Sequence, residues 1–272
     1  MKSRTPIRPD SELAAEFWQK GRSDRCPIYD MHGHMGEWYG IYFPRMEPAD
    51  MVRSMDAAGV KRLCFSHHAS LLAPELGNKP AVEAVRAFPD RFRAYLAVNP
   101  HYPDIARAEM AQFDSMRDIY TGLKFLPDYH GVKLSDPRYK FALDFADERG
   151  LIVLTHTWGG SQQDGPEQVR IIAQRHPRVR FLLGHSFAYD WDSAVAVVRE
   201  HPNTYLELTG ILGMRGVVDL FCEKVGSDRV LFGTDLPWFD QQQAVGSLLS
   251  SSITEDDIHN ICHRNAEKLL DL

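Results

Sequence analysis

Short apolar runs alternate along the chain with longer segments whose apolar residues recur every three or four positions. The runs are typical of strands, and they lie at 27–32, 61–67, 92–98, 120–126, 151–156, 179–185, 204–209 and 229–235. The segments with helical spacing lie at 48–58, 80–88, 103–117, 138–149, 166–176, 190–200, 212–226, 240–250 and 255–270. Strands that alternate with helices predict βαβ units and a parallel sheet.

Eight strand–helix units predict a (β/α)8 TIM barrel of the α/β class. Their spacing of roughly 25 to 35 residues suits one such unit with its loops. An open doubly wound sheet is the rival topology, but it usually carries a G-x-G-x-x-G turn after a strand, and no strand here is followed by one. We predict a single barrel domain over 26–272. An N-terminal extension, 1–25, precedes it and contains a short amphipathic helix at 11–20 with Ser11 as its N-cap.

The composition narrows the classes of partner. The chain has 272 residues, of which 44% are hydrophobic and 25% charged, as in an ordinary globular protein. Its net charge of −6 argues against a nucleic-acid partner. No uninterrupted apolar run is long enough for a membrane span, and the N-terminus lacks the apolar core of a signal peptide. The four cysteines form no C-x-x-C pair, which favours a reducing compartment and predicts a cytoplasmic protein.

The ends of the predicted strands are rich in histidine. Six of the twelve histidines fall there: His32, His34, His67, His68, His156 and His185. Functional side chains of TIM barrels sit at the C-terminal ends of the strands. Because side chains two apart on a strand share a face, His32 and His34 should point the same way. Imidazole together with carboxylate, which Asp235 offers after the last strand, suits Zn²⁺, Mn²⁺, Fe²⁺ or Ni²⁺.

Five motifs in order resemble the amidohydrolase superfamily, and in particular its branch of aminocarboxymuconate-semialdehyde decarboxylase-like enzymes. They are DMHGHMG (30–36), GLKFLP (122–127), LIVLTHTWG (151–159), VRFLLGHS (179–186) and RVLFGTDLPW (229–238). Each motif is weak alone, but together they cover the chain from about residue 26 to its end.

The resemblance implies a ligand set for one divalent metal ion, with zinc first and manganese, iron or nickel as alternatives. The implied ligands are His32, His34, His156 and Asp235. The resemblance also implies that His185 is an acid/base or polarising group and that Asp235 doubles as a proton acceptor. Some relatives carry a carboxylated lysine that bridges two metals. The context of Lys124 looks more like the branch in which the lysine stays unmodified and binds a substrate anion, so we favour a single ion.

Each of the remaining candidate site residues allows a functional and a structural interpretation. One of His67 and His68 should face the barrel mouth, and we expect His67 to contact substrate, although a structural histidine is at least as common. Trp158 and Trp238 follow strands and are expected at the rim of a substrate pocket, where ordinary packing is the alternative. Asp30 should point inward, either to support a ligand histidine or as a buried structural carboxylate.

The sequence therefore leaves three functions open. The first is a metal-dependent hydrolase in which a metal-activated water attacks the carbonyl of a small amide, ester or lactone. The second is a nonoxidative decarboxylase of a small aromatic or unsaturated carboxylic acid, which would use the same residues. The third is a barrel that has lost catalysis and only binds. The expected partner is a small molecule, with a carboxylate as one candidate, and a homodimer is common in the resembling family.

Overall fold

A computed structural model of the protein describes residues 10–272 and contains one sheet of eight parallel strands in sequential order. The strands are β1 Ile28–Met35, β2 Val60–His67, β3 Phe92–Ala97, β4 Tyr120–Phe125, β5 Ile152–Trp158, β6 Arg180–Ala188, β7 Thr204–Glu207 and β8 Val230–Leu231. Each falls on a run predicted from the sequence. The predicted (β/α)8 barrel is therefore confirmed.

Helices follow the strands and surround the sheet. They are α1 Glu12–Lys20, α2 Pro48–Ala58, α3 His68–Leu72, α4 Pro74–Ala87, α5 Pro103–Met110, α6 Pro127–His130, α7 Lys140–Arg149, α8 Pro166–Arg175, α9 Trp191–Glu200, α10 Val217–Val225, α11 Gln241–Leu249, α12 Glu255–His259 and α13 Asn265–Leu269. A π-helical turn, Asn260–Arg264, joins α12 to α13. The short helices α3 and α6 have no counterpart among the predicted segments, because four or five residues are too few to set a helical period.

The sheet closes between its last strand and its first. The Met31 amide donates to the Phe232 carbonyl at 2.9 Å, and the His34 amide donates to the Leu236 carbonyl at 2.6 Å. β8 itself is only two residues long, against the predicted 229–235. Beyond Leu231 the chain no longer pairs with β7. Its backbone amides instead donate hydrogen bonds to carbonyls of β1 and of the C-terminal helical segment.

Side chains of the strands alternate between two apolar layers. Ile152 and Leu154 of β5 belong to a cluster that fills the barrel, whereas Val153 between them belongs to the outer cluster, which includes apolar residues of the surrounding helices. This period of two is the geometry expected of a strand buried on both faces. The barrel interior is therefore a packed core and not an open channel.

The inner layer gives a direct test of the fold. Leu154 is 0% exposed, so Leu154→Ala should leave a cavity and lower the free energy of unfolding by about 2–5 kcal/mol. Leu76 on α4 is 65% exposed, and Leu76→Ala should change the free energy of unfolding by less than about 0.5 kcal/mol. Urea unfolding followed by circular dichroism measures both changes. Equal losses in the two variants would contradict the inner-layer assignment.

The predicted N-terminal helix is present as α1. The Ser11 hydroxyl accepts a hydrogen bond from the Ala14 amide at 3.1 Å and donates one to Glu255 at 2.7 Å, so the helix is both capped and attached to α12. The first nine residues of the predicted extension lie outside the described part of the chain. Within residues 10–272, no helix has the length and apolar character that crossing a membrane requires.

Candidate metal centre

A cavity of about 430 Å³ opens at the C-terminal ends of the strands. Its floor includes His32, His34, Lys124, His185 and Asp235. A larger hollow of about 770 Å³ lies on the outside of the barrel between α5 and α7, and none of the strand-end histidines lines it. The chemistry predicted from the sequence is therefore concentrated in the cavity at the barrel mouth.

Three of the predicted ligands form a tight group. Potential ligand atoms of His32, His34 and Asp235 all lie within 4.8 Å of one another. Asp235 Oδ1 is 3.0 Å from His34 Nε2 and 3.6 Å from His32 Nε2. That oxygen is buried, yet among the described residues no group forms a hydrogen bond with it. A divalent cation would satisfy this oxygen, because zinc binds nitrogen and oxygen ligands at about 2.0–2.2 Å. The donor set therefore fits a metal ion.

The tautomer of His32 also suits metal binding. His32 Nδ1 is 2.9 Å from Glu207 Oε2, deep in the barrel. A proton on Nδ1 donates to that carboxylate and leaves the lone pair on Nε2, which faces Asp235. Metal-binding histidines almost always donate their second N–H in this way. Asp30, the residue that the sequence offered for such a role, instead accepts hydrogen bonds from Thr234 and Gln241 and so connects β1 to the segment after β8.

Glu207 is surrounded by donors. Oε1 accepts hydrogen bonds from the Thr209 amide and hydroxyl at 2.8 and 2.6 Å. Burial raises the pKa of Glu207 to about 8, and the Thr209 hydrogen bonds oppose that rise. A cation on His32 Nε2 keeps the proton on Nδ1 and so favours the ionised carboxylate. Gly233 makes room for this group, since a Cβ there would lie 1.8 Å from Glu207 Oε1.

Glu207 should therefore control metal affinity without contacting the metal. Both carboxylate oxygens of Glu207 accept hydrogen bonds, and Glu207→Gln replaces one of these oxygens with an NH2 group that cannot accept. We expect the metal to bind about 10–100-fold more weakly. Titration of metal into chelator-treated protein measures this change. The matched control is Glu200→Gln at the exposed end of α9, where the carboxylate pairs with Arg170 on the surface. Unchanged affinity in Glu207→Gln would contradict the role given to the His32–Glu207 pair.

His156, the fourth predicted ligand, lines the same cavity but stands outside the tight group. Its Nδ1 is 2.7 Å from Asp164, a buried carboxylate in the loop after β5. That contact fixes the proton on Nδ1 and leaves Nε2 with a free lone pair. The His156 ring lies 4.8 Å from that of His185. The role of His156 as a metal ligand thus stays a prediction.

His185 is held as a neutral imidazole. Its Nδ1 donates to the Thr209 carbonyl at 3.2 Å, so its Nε2 carries the lone pair. Burial, followed by the proximity of His156, lowers its pKa to about 3. The backbone has φ of 67° at His185 and 64° at Asp235, a region that residues with a side chain rarely adopt. Such strain, of roughly 1–3 kcal/mol each, is concentrated at functional sites.

Lys124 provides the positive charge of the cavity. Among its described lining residues, it is the one lysine or arginine. Its Nζ is 2.8 Å from His32 Nε2, the atom predicted to bind metal. Burial lowers the pKa of Lys124 to about 8, and the charges of Asp235, Glu207 and Asp164 oppose that change. A metal ion would compete with the amine for the His32 lone pair, which frees the amine to meet an anionic ligand.

Aromatic side chains form the walls of the cavity. Trp158 lies parallel to His156, with ring centroids 6.0 Å apart, and is expected at the rim on the β5 side. On the opposite side, Trp238 donates from Nε1 to His68 Nε2 at 3.0 Å, and Trp38 stands 6.0 Å from Trp238. These walls leave a space of the kind that receives a flat, apolar molecule.

The structure places His68, not His67, on the cavity wall. His67 ends β2 and its Nδ1 accepts a hydrogen bond from the Ala69 amide, so it caps α3. Of the two histidines, His68 is therefore the one that lines the cavity, and the substrate contact predicted for His67 stays a prediction. The strand period stops at residue 67 because α3 begins with the next residue, and no pattern in the sequence marks that change. Asp164 was missed for a similar reason, since it lies in a loop.

The chain is similar to known proteins over most of its length. The family model described as amidohydrolase matches residues 29–272. A gamma-resorcylate decarboxylase of Rhizobium sp. is 24% identical over 310 residues, which span 96% of this chain and 92% of that protein.

Two solved structures share the fold. The 5-carboxyvanillate decarboxylase of Sphingomonas paucimobilis has a TM-score of 0.74 at 15% identity, covering 92% of this chain and 100% of that one. A dihydroxybenzoic acid decarboxylase of a Polaromonas species, solved with manganese and the inhibitor 2-nitroresorcinol, has a TM-score of 0.73 at 18% identity, covering 91% and 97%.

Proposed function

The chain belongs to the amidohydrolase family, and we propose that it is a metal-dependent, nonoxidative decarboxylase of a small aromatic carboxylic acid. The observation that carries the proposal is the cavity itself, in which aromatic walls lead down to one buried lysine beside the His32–His34–Asp235 group. The names of the curated relatives support the same choice, since they are gamma-resorcylate decarboxylases. Hydrolysis of a carbonyl compound, the first expectation from the sequence, has less support.

The residues proposed to hold the metal are His32, His34, Asp235 and His156. The ion would supply positive charge that stabilises an anionic substrate at the floor of the cavity. Nitrogen and carboxylate ligands accept Zn²⁺ and Mn²⁺ alike. Manganese is the ion named in the Polaromonas structure, so we propose Mn²⁺ as the first alternative to zinc.

The protein's own groups account for the remaining requirements of the reaction. Decarboxylation adds a proton to the ring carbon that carries the carboxylate, after which the carbon–carbon bond breaks, its electrons return to the ring and CO2 leaves. Asp235 is proposed to deliver that proton. Burial alone raises the pKa of Asp235, but the imidazoles of His34, His32 and His185 outweigh burial and hold it well below its usual range. The proton that Asp235 takes up comes from solvent, and the protonated group is a strong acid that can protonate a weakly basic carbon and return to the carboxylate.

Binding and orientation are assigned to the cavity walls and to Lys124. The Lys124 ammonium is proposed to pair with an anionic oxygen of the substrate, an interaction that the low-dielectric floor strengthens. Trp158 and Trp238 are proposed to hold the ring between the two walls and to exclude water. His185, neutral at its Nε2, is proposed to accept a hydrogen bond from a ring hydroxyl and so to fix the ring in its plane.

A substrate panel tests the proposed reaction. Hydroxybenzoates, including 2,6-dihydroxybenzoate, are compared with lactones, esters and amides, and CO2 release is measured beside hydrolysis. We expect CO2 from at least one hydroxybenzoate, with one deuterium at the former carboxyl-bearing carbon when the reaction runs in D2O. Hydrolysis of a lactone, ester or amide without any CO2 release would reject the decarboxylase and restore the hydrolase.

The role of Lys124 has a test of its own. Lys124→Met keeps the length of the side chain but removes its charge, and we expect KM to rise by about 10–100-fold, the value of one charge-assisted hydrogen bond. Metal content should stay unchanged, because the unmodified lysine is not a ligand. Lys140→Met on the surface of α7 is the matched control and should change neither quantity. Loss of metal in Lys124→Met would instead favour a carboxylated, metal-bridging lysine.

A further inference from the structure

A second group of metal-binding side chains lies away from the cavity. Ligand atoms of Cys26, His259 and His263 all lie within 4.8 Å of one another. Cys26 comes two residues before β1, at the N-terminal end of the barrel, and the histidines belong to the helical segment that ends the chain. We propose that Cys26, His259 and His263 form a second metal site, suited to Zn²⁺, that fastens the start of the barrel to its last helix. This inference does not depend on the proposed reaction.

The two histidines are arranged as a pair of ligands. His259 Nδ1 and His263 Nε2 are 3.0 Å apart. Two nitrogens on one tetrahedral zinc, each at about 2.0–2.1 Å, stand about 3.3 Å from each other. The pair spans the π-helical turn Asn260–Arg264, and π-helical turns occur frequently at functional sites.

A carboxylate fixes the tautomer of His263. His263 Nδ1 is 3.1 Å from Glu267 Oε2, one helical turn further on. The proton on Nδ1 donates to Glu267, so Nε2 carries a lone pair that faces His259 and Cys26. This is the carboxylate–histidine arrangement that supports zinc ligands in proteins.

Cys26 supplies a rigidly held sulfur. It is 1% exposed, and its backbone exchanges hydrogen bonds with the Ser23 hydroxyl, which accepts from the Cys26 amide and donates to its carbonyl. Its Sγ donates to the carbonyl of the neighbouring Pro27 at 3.5 Å. A hydrogen bond between the two histidines would explain their contact with each other. It would not explain why the Cys26 sulfur lies beside both of them.

The ligand types define the metal. Thiolate with imidazole selects Zn²⁺ and other borderline or soft ions over Mg²⁺ or Ca²⁺. Three protein ligands leave the fourth tetrahedral position to water, which enters from the half-buried histidine side. Because Cys26 lies more than 230 positions before the two histidines in the sequence, the complete site exists only in the folded chain, and metal should stabilise the fold.

Cobalt substitution tests the site in the whole protein. Chelator-treated protein is titrated with Co²⁺ under reducing conditions, and the near-ultraviolet thiolate-to-cobalt charge-transfer absorption is recorded. The group at the barrel mouth contains no sulfur, so this absorption reports only the Cys26 site. We expect the absorption in the unmodified protein and in Asp235→Asn, and its loss in Cys26→Ser. Cys222→Ser, which changes a half-buried cysteine of α10 outside the group, should retain it.

Variants of the helical ligands keep the test decisive if Cys26→Ser fails to fold. His263→Gln changes a half-buried side chain and should abolish tight Co²⁺ binding at this site. Glu267→Gln should weaken binding about 10–100-fold while preserving the absorption. Absence of the absorption in the unmodified protein, or its persistence in Cys26→Ser or His263→Gln, would overturn the second site. None of these results bears on decarboxylation, which is measured separately by CO2 release.

Discussion

Asp235→Asn is expected to slow CO2 release by about 10²–10⁴-fold, the usual contribution of a positioned acid or base. Asparagine has nearly the same shape, so the barrel should stay folded. It cannot carry the proton, and it replaces an ionised oxygen that approaches His34 Nε2 at 3.0 Å. Steady-state kinetics on the best substrate of the panel measures the loss, and circular dichroism verifies the fold.

The matched control is Asp240→Asn, five residues along the same segment. Asp240 caps α11 by accepting a hydrogen bond from the Gln243 amide, and asparagine caps helices equally well. We expect its activity and stability to match those of the unmodified protein. If Asp235→Asn retained a tenth or more of the activity, Asp235 could be neither the proton donor nor an essential ligand.

Removal of the metal is expected to have the second large effect. Chelator-treated protein should lose CO2 release to below about 1% of its starting value, since the ion provides charge stabilisation worth several kcal/mol that no side chain replaces. Mn²⁺ and Zn²⁺ are then added back separately. We expect one equivalent of either ion at the barrel mouth to restore activity, and the more active ion identifies the functional metal.

Metal bound at the proposed second site would add to the stoichiometry measured in this titration, so the two sites must be distinguished. Using Cys26→Ser protein removes the thiolate ligand, so the remaining stoichiometry reports the barrel mouth alone. In that variant, His34→Gln should prevent reactivation by either ion, because it removes one of the three converging ligands. Full activity of the metal-free protein would exclude a metal-dependent reaction.

Local patterns in the sequence predicted the barrel well because strand and helix periods are properties of neighbouring residues. All eight strands were found, and His32 and His34 do share a face, with ring centroids 5.3 Å apart. Their exact neighbours were less predictable. β1 carries one residue more than β2 between the pairs Asp30–Leu63 and Gly33–Phe65, and such a bulge redirects side chains in a way that strict alternation does not foresee.

The sequence by itself determined the fold, the ends of the strands as the place of the chemistry, and the residue types that suit a metal. Only the tertiary structure decided which groups meet. It paired His32 with Glu207 and His156 with Asp164, placed His68 on the cavity wall, and brought Cys26 to the C-terminal histidines. These contacts join residues far apart in the chain, and they depend on closure of the sheet and on loop conformations that leave no periodic signal in the sequence.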